Sequence, residues 1–201
     1  NPKVELSFVE IEIKPEKLPA IKDISKRLSN QTIKFYNREV FLANDFSAYL
    51  GQVEVWDQIA SKLATEGAKT NNIIHLMIEN GMYNEIIIDQ FDSEKTIFYK
   101  SEYDSLEGIT QKNGILALRF KSNLSDEQKG IHKVSCVPVY LPEGQTNLPN
   151  LPILDSESEY AFTDLAFQTE MAVGDFFILA ANKVKKEQGS LAGEVSQNVR
   201  L

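Results

Sequence analysis

Two histidines, one cysteine and 29 acidic residues are the groups through which this 201-residue chain could do chemistry. His75 and His132 each sit inside an apolar run of strand length, where a face-filling or solvent-facing side chain is the simpler reading than a catalytic base. If the two met in space they would still supply only two ligands, and zinc takes three or four from the protein. Cys136, in Val134-Ser135-Cys136-Val137, is the sole cysteine, which excludes an intramolecular disulfide and any Cys-based metal cluster. It reads as a buried thiol. Carboxylates are the only abundant reactive groups. Asp89, Asp92 and Glu94 bracket one turn, and Asp155, Glu157 and Glu159 alternate after a proline-rich stretch. Hard cations favour clustered oxygens, but neither run carries the Asp-x-Asp-x-Asp-Gly frame with its distant glutamate. Solvated acidic turns are the better reading.

The nucleophile and phosphate motifs are missing as well. There is no Gly-x-Ser-x-Gly, no Ser-x-x-Lys, no P-loop and no Gly-x-Gly-x-x-Gly. A glycosidase needs two carboxylates facing each other across a cleft, a geometry that spacing along the chain does not reveal. Tyr36, Tyr49, Tyr83, Tyr99, Tyr103 and Tyr160 are scattered, while Phe162, Phe167, Phe176 and Phe177 fall where core packing expects them. No catalytic, cofactor-binding or metal-ligating residue is assigned, and no cofactor is expected.

The net charge of −8, with no face collecting Lys and Arg, argues against nucleic acid, whose binding rests on phosphate neutralisation. Lys183, Lys185 and Lys186 cluster beside Glu187 and do not alter that balance. An anionic membrane surface is disfavoured for the same reason. No apolar run approaches the roughly 18–20 residues of a membrane-spanning helix. The sequons at Asn30 and Asn123 are as frequent as chance supplies.

The elements that must position these groups follow from hydrophobic spacing. Val4, Leu6 and Phe8 alternate with polar residues, then Val9, Ile11 and Ile13 alternate on the opposite parity. A strand that changes parity carries a bulge or is buried on both faces near the switch. Leu18, Ile21, Ile24 and Leu28 mark a helical stripe with Pro19 in its first turn. Thr32–Tyr36 reads as a strand, and Asn37-Arg38 as a turn into a further strand through Val40-Phe41-Leu42, Phe46, Ala48 and Leu50. Val53, Trp56, Ile59 and Leu63 share a second helix face, with Gly67 as its C-terminal cap. Residues 73–78 form the next strand.

The order to residue 80 is therefore β-α-β-β-α-β, the split βαβ arrangement of ferredoxin-like folds, an analogy of architecture that identifies no family. Asn80-Gly81 between apolar runs is the strongest short-range hairpin signal, and Asn113-Gly114 repeats it. The expected fold class is α+β: a split βαβ unit at 1–80, extended by a β-rich, mostly antiparallel half at 82–184 that shares or packs on the same sheet. Residues 185–201 read as a polar tail. In the second half, strands flank Asp92-Ser93-Glu94, Ile115–Phe120 alternates, and Ile131–Leu141 follows a polar return. Pro138 suggests an edge strand or a bulge. Pro142 to Ser158 is the longest irregular stretch, and a closing hairpin turns at Val173-Gly174-Asp175.

These expectations favour a non-enzymatic binding or structural protein that meets a protein partner, or a second copy, through a strand edge. Because the chain opens on Asn1-Pro2, the soluble part of an exported bacterial envelope protein is the expected setting, periplasmic or cell-surface, with a cytoplasmic location as the alternative. The rival function is a small-ligand binder or a carboxylate-based hydrolase whose site converges only in the fold.

Overall fold

The computed structural model describes residues 3–14, 17, 24, 28–29, 32–102, 105–126, 128–142 and 159–181. Twelve strands and two α-helices are described, and every strand pairing is antiparallel. The largest sheet runs β2 (Lys34–Phe35), β11 (Phe167–Ala172), β9 (Ile131–Pro142), β8 (Gly114–Leu124), β5 (Tyr83–Phe91), with β10 (Tyr160–Ala161) also on β9. Three two-stranded ladders accompany it. They are β1 (Lys3–Glu12) with β4 (Lys69–Glu79), β3 (Phe46–Gly51) with β12 (Phe176–Ala181), and β6 (Lys95–Lys100) with β7 (Leu106–Gln111).

The β1–β4 and β3–β12 ribbons pack on the large sheet on one side and, over part of their length, on α2 on the other. The even residues Val4, Leu6 and Phe8 pack with Ile78 on Ile86 and Phe120 of the large sheet. Ile11 and Ile13 instead join Ile24 and the helix residues Ile59 and Leu63. This switch of the packed face from one side of the ribbon to the other explains the parity change in β1. A register shift between Glu10 and Ile11 adds the bulge that the alternation also anticipated. β12 behaves likewise: Leu179 and Phe177 face the main core, while Phe176 and Ile178 face the helix.

That helix, α2 (Val53–Thr65), lies where the spacing predicts it. It ends as expected, with Gly67 at φ +82° and the Gly67 and Ala68 amides donating to the Ala64 and Leu63 carbonyls. The earlier helical stripe, Leu18 to Leu28, lies mostly outside the described residues, as do the Pro142–Ser158 stretch beyond Pro142 and the polar tail at 185–201; Ile24 is helical and buried.

Val40-Phe41-Leu42 is not a strand. It belongs to α1 (Arg38–Ala43), because Asn37 caps it: the Asn37 Oδ1 accepts from the Val40 amide at 3.1 Å. One helical turn places Val40 and Phe41 together on the core side, where Phe41 meets the rings of Phe35, Phe46 and Phe167 at 4.8, 5.6 and 5.8 Å. Leu42 faces out.

The ladders differ from the split βαβ expectation in a consistent way. β2 pairs with β11 and β3 with β12, so strands on either side of residue 81 share ladders. Asn80-Gly81 does turn the chain, with Gly81 at φ +80°. However, β4 pairs with β1 and β5 with β8, so the turn carries the chain from one layer to the other instead of closing a hairpin. The Gly81 amide and Asn80 side chain are held by β8, through the Ser122 carbonyl at 2.8 Å and the Leu124 amide at 2.5 Å. The turn at Val173-Gly174-Asp175 acts similarly, passing from β11 in the large sheet to β12 in the ribbon layer. Hairpins proper form at β6–β7 and β8–β9.

Pro138 is neither on an edge strand nor at a bulge. It sits inside β9, opposite Leu118, where the neighbour on the other side is interrupted between β10 and β11. The Pro138 carbonyl accepts from the Phe162 amide at 3.0 Å on that side. In an antiparallel strand a residue's N–H and C=O point the same way, so the missing donor falls in the interruption.

Candidate interaction surface

The groups singled out by type are found in three different settings. Cys136 is buried in the main core, and desolvation pushes its thiol up to about 12. Asp89 is tied to Lys95 at 3.2 Å, Asp92 and Glu94 are exposed, and Asp155 and Glu157 lie outside the described residues. Among the described residues no group of three His, Cys, Asp or Glu side chains is placed to hold a metal ion.

Folding does bring together residues that sequence spacing separates. His75 on β4 faces β1, where its Nδ1 lies 2.9 Å from the Ser7 Oγ and 3.1 Å from the Glu5 Oε1. Serine, histidine and glutamate are the types of a hydrolase triad, but a triad uses both ring nitrogens, one for the nucleophile and one for the acid. Here both partners meet the same nitrogen on an exposed ribbon face. The arrangement is a cross-strand polar cluster.

A second cluster joins β6, β7 and β10. The Tyr99 hydroxyl donates to Glu107 Oε2 at 2.7 Å and lies 2.5 Å from the Tyr160 hydroxyl, which must then be the donor in that pair. Burial and these two hydrogen bonds raise the Tyr99 phenol, while hydrogen bonds from Ser101 and Tyr99 hold the Glu107 carboxyl below its usual range. A phenol shifted upward is a poor nucleophile and base at neutral pH, so the cluster serves as a clasp.

The third cluster lies on the outer face of the large sheet. Arg119 of β8 bonds Glu85 of β5 through Nε at 2.7 Å and takes both carboxylate oxygens of Glu159. These paired carboxylates raise its already high pKa. Tyr83 and Ile87 flank this ion network on β5 and are 62% and 59% exposed. The Lys121 Nζ stands 5.0 Å from the Tyr83 ring centroid. β5 is the terminal strand of the sheet, and among the described residues no strand pairs with its other side. The apolar run between Asn80-Gly81 and the Asp92-Ser93-Glu94 turn predicts β5 as a strand, but its edge position depends on which strands it pairs with, and no local signal encodes that. The described helices are too short or too polar to cross a membrane. No protein-family model, curated protein or solved structure matches this chain.

Proposed function

We propose that the chain is a non-enzymatic interaction protein that accepts an extended strand from another polypeptide along β5. The supporting observation is the terminal position of Tyr83–Phe91 in the large sheet together with its outward Tyr83 and Ile87. An open edge offers backbone donors and acceptors for affinity, and alternate side chains supply selectivity. The carboxylate-hydrolase reading has less support, because Asp89 and Glu159 are each engaged by a cation.

Hydrogen exchange provides the test. Residues 83–91 should gain protection in the presence of a second copy at high concentration or of a selected extended peptide. Ile87→Lys should abolish that gain while leaving thermal stability unchanged. If no protection develops along β5 with either probe, the reading is wrong.

A further inference from the structure

The ribbon layer and α2 do not close on each other completely. Between β1, α2 and β12 lies a cavity of about 120 Å³. Val9 and Ile11 form one wall, Trp56 and Leu63 the second, and Phe176 and Ile178 the third. Trp56 and Phe176 meet edge to face at 5.0 Å. The ring of Phe176 lies across Gly51, where an added Cβ would come within 2.3 Å of it, so this wall is held in place by β3. Among the described lining residues Ser7 alone is polar, and it is the serine bonded to His75.

We infer that this cavity is a binding site for a small uncharged ring, or an aliphatic group of equal size, bearing one hydrogen-bonding substituent at the Ser7 end. Size sets the first limit: about 120 Å³ is somewhat under the roughly 150 Å³ apolar cavity that accommodates benzene. A single ring with its substituent at the exposed Ser7 end is therefore the upper bound, well short of the roughly 300 Å³ or more that drug-sized ligands need. The walls set the second, since aromatic edges and faces favour a ring and, among the described lining residues, none would pair a charge carried in past the exposed Ser7 end. Glu5, beside His75, opposes an anionic substituent. The site is independent of strand pairing at β5, so failure of either reading leaves the other standing.

Trp56 is the sole tryptophan, so its fluorescence reports on the cavity wall directly. Titration of the intact chain with phenol should give a saturable change in Trp56 emission and a rise in thermal midpoint that grows with phenol concentration. Benzene should bind more weakly, and Ser7→Ala should remove the difference between the two. Filling the space with Val9→Phe, or with Ala180→Val if the first does not fold, should weaken the response roughly tenfold or more. An unsaturable response in the natural sequence, or an undiminished one in a folded filled variant, overturns the assignment.

Discussion

Asn44 and Thr169 are both buried polar side chains, and they predict opposite responses when the polar group is removed. Asn44 follows α1 and uses its whole amide. Its Oδ1 accepts from the Lys100 amide at 2.8 Å, and its Nδ2 donates to the Lys100 and Val40 carbonyls at 2.8 and 2.9 Å. It therefore pairs with β6 as another strand would. Asn44→Ala strips partners from Lys100 and should cost about 2–3 kcal/mol in urea denaturation. Thr169 is 1% exposed, and among the described residues its Oγ1 has no hydrogen-bond partner. Thr169→Val keeps the shape and removes the unsatisfied hydroxyl, so the same measurement should show a gain of about 1 kcal/mol. Cys136 adds a pH prediction. The thiol is raised to about 12 in the folded chain, against about 8.5 when unfolded. Its contribution is fully present below about pH 8.5 and is lost as pH rises toward 12, because the unfolded chain releases the proton first. The stability of the natural sequence should therefore fall more steeply over that interval than that of Cys136→Val. A thiol reagent at neutral pH should label the natural sequence only as fast as it opens.

At the level of elements, the sequence was most legible where a signal is local. The α2 stripe Val53, Trp56, Ile59, Leu63 and its Gly67 cap predict the helix within two residues of its end. The alternation of Leu116 and Phe120 likewise predicts the core face of β8. Val40-Phe41-Leu42 misled because three apolar residues suit a strand or a single helical turn equally, and the choice falls to Asn37 as the cap. Asn80-Gly81 and Val173-Gly174-Asp175 reverse the chain as their residue types predict, but neither closes a hairpin. Turn chemistry fixes where a chain reverses, while pairing depends on distant partners such as β8 for β5. The polar clusters were illegible for the same reason: Ser7 and His75 are 68 residues apart, and Tyr99 and Tyr160 are 61. The Tyr99 clasp carries its own prediction. Tyr99→Phe deprives Glu107 of a donor and Tyr160 of an acceptor, and should cost about 1 kcal/mol at neutral pH. Glu107, held below its usual range, contributes stability above that range and loses it as pH falls through its folded value. The Tyr99→Phe deficit should accordingly shrink on acidification, read from denaturation at a series of pH values.

For the whole molecule, the decisive property is that early strands wait for late ones. β3 pairs with β12, so Tyr49 meets Ile178, and β2 pairs with β11, so Lys34 meets Gln168. The main core draws Ile33, Phe41 and Phe46 from before residue 81 and Leu116, Tyr140 and Phe167 from after it. Loop closure over such separations must precede the contacts that reward it, so folding should be slow, on the order of milliseconds to seconds. The same topology determines how the chain responds to division. A fragment ending at Gly81 keeps the β1–β4 ribbon and α2 but leaves Phe41, Phe46 and Ala48 without Phe167 and Leu179, their core partners. It also exposes the inner faces of Val4, Leu6 and Phe8, which pack on Ile86 and Phe120. An isolated two-stranded ribbon is marginal in water. Fragments 1–81 and 82–201 should each lack a cooperative thermal transition when made separately, and mixing them should restore one. If the first fragment alone unfolds cooperatively, the ladders that cross residue 81 are not what holds this half of the molecule together, and the two halves are stable units in their own right.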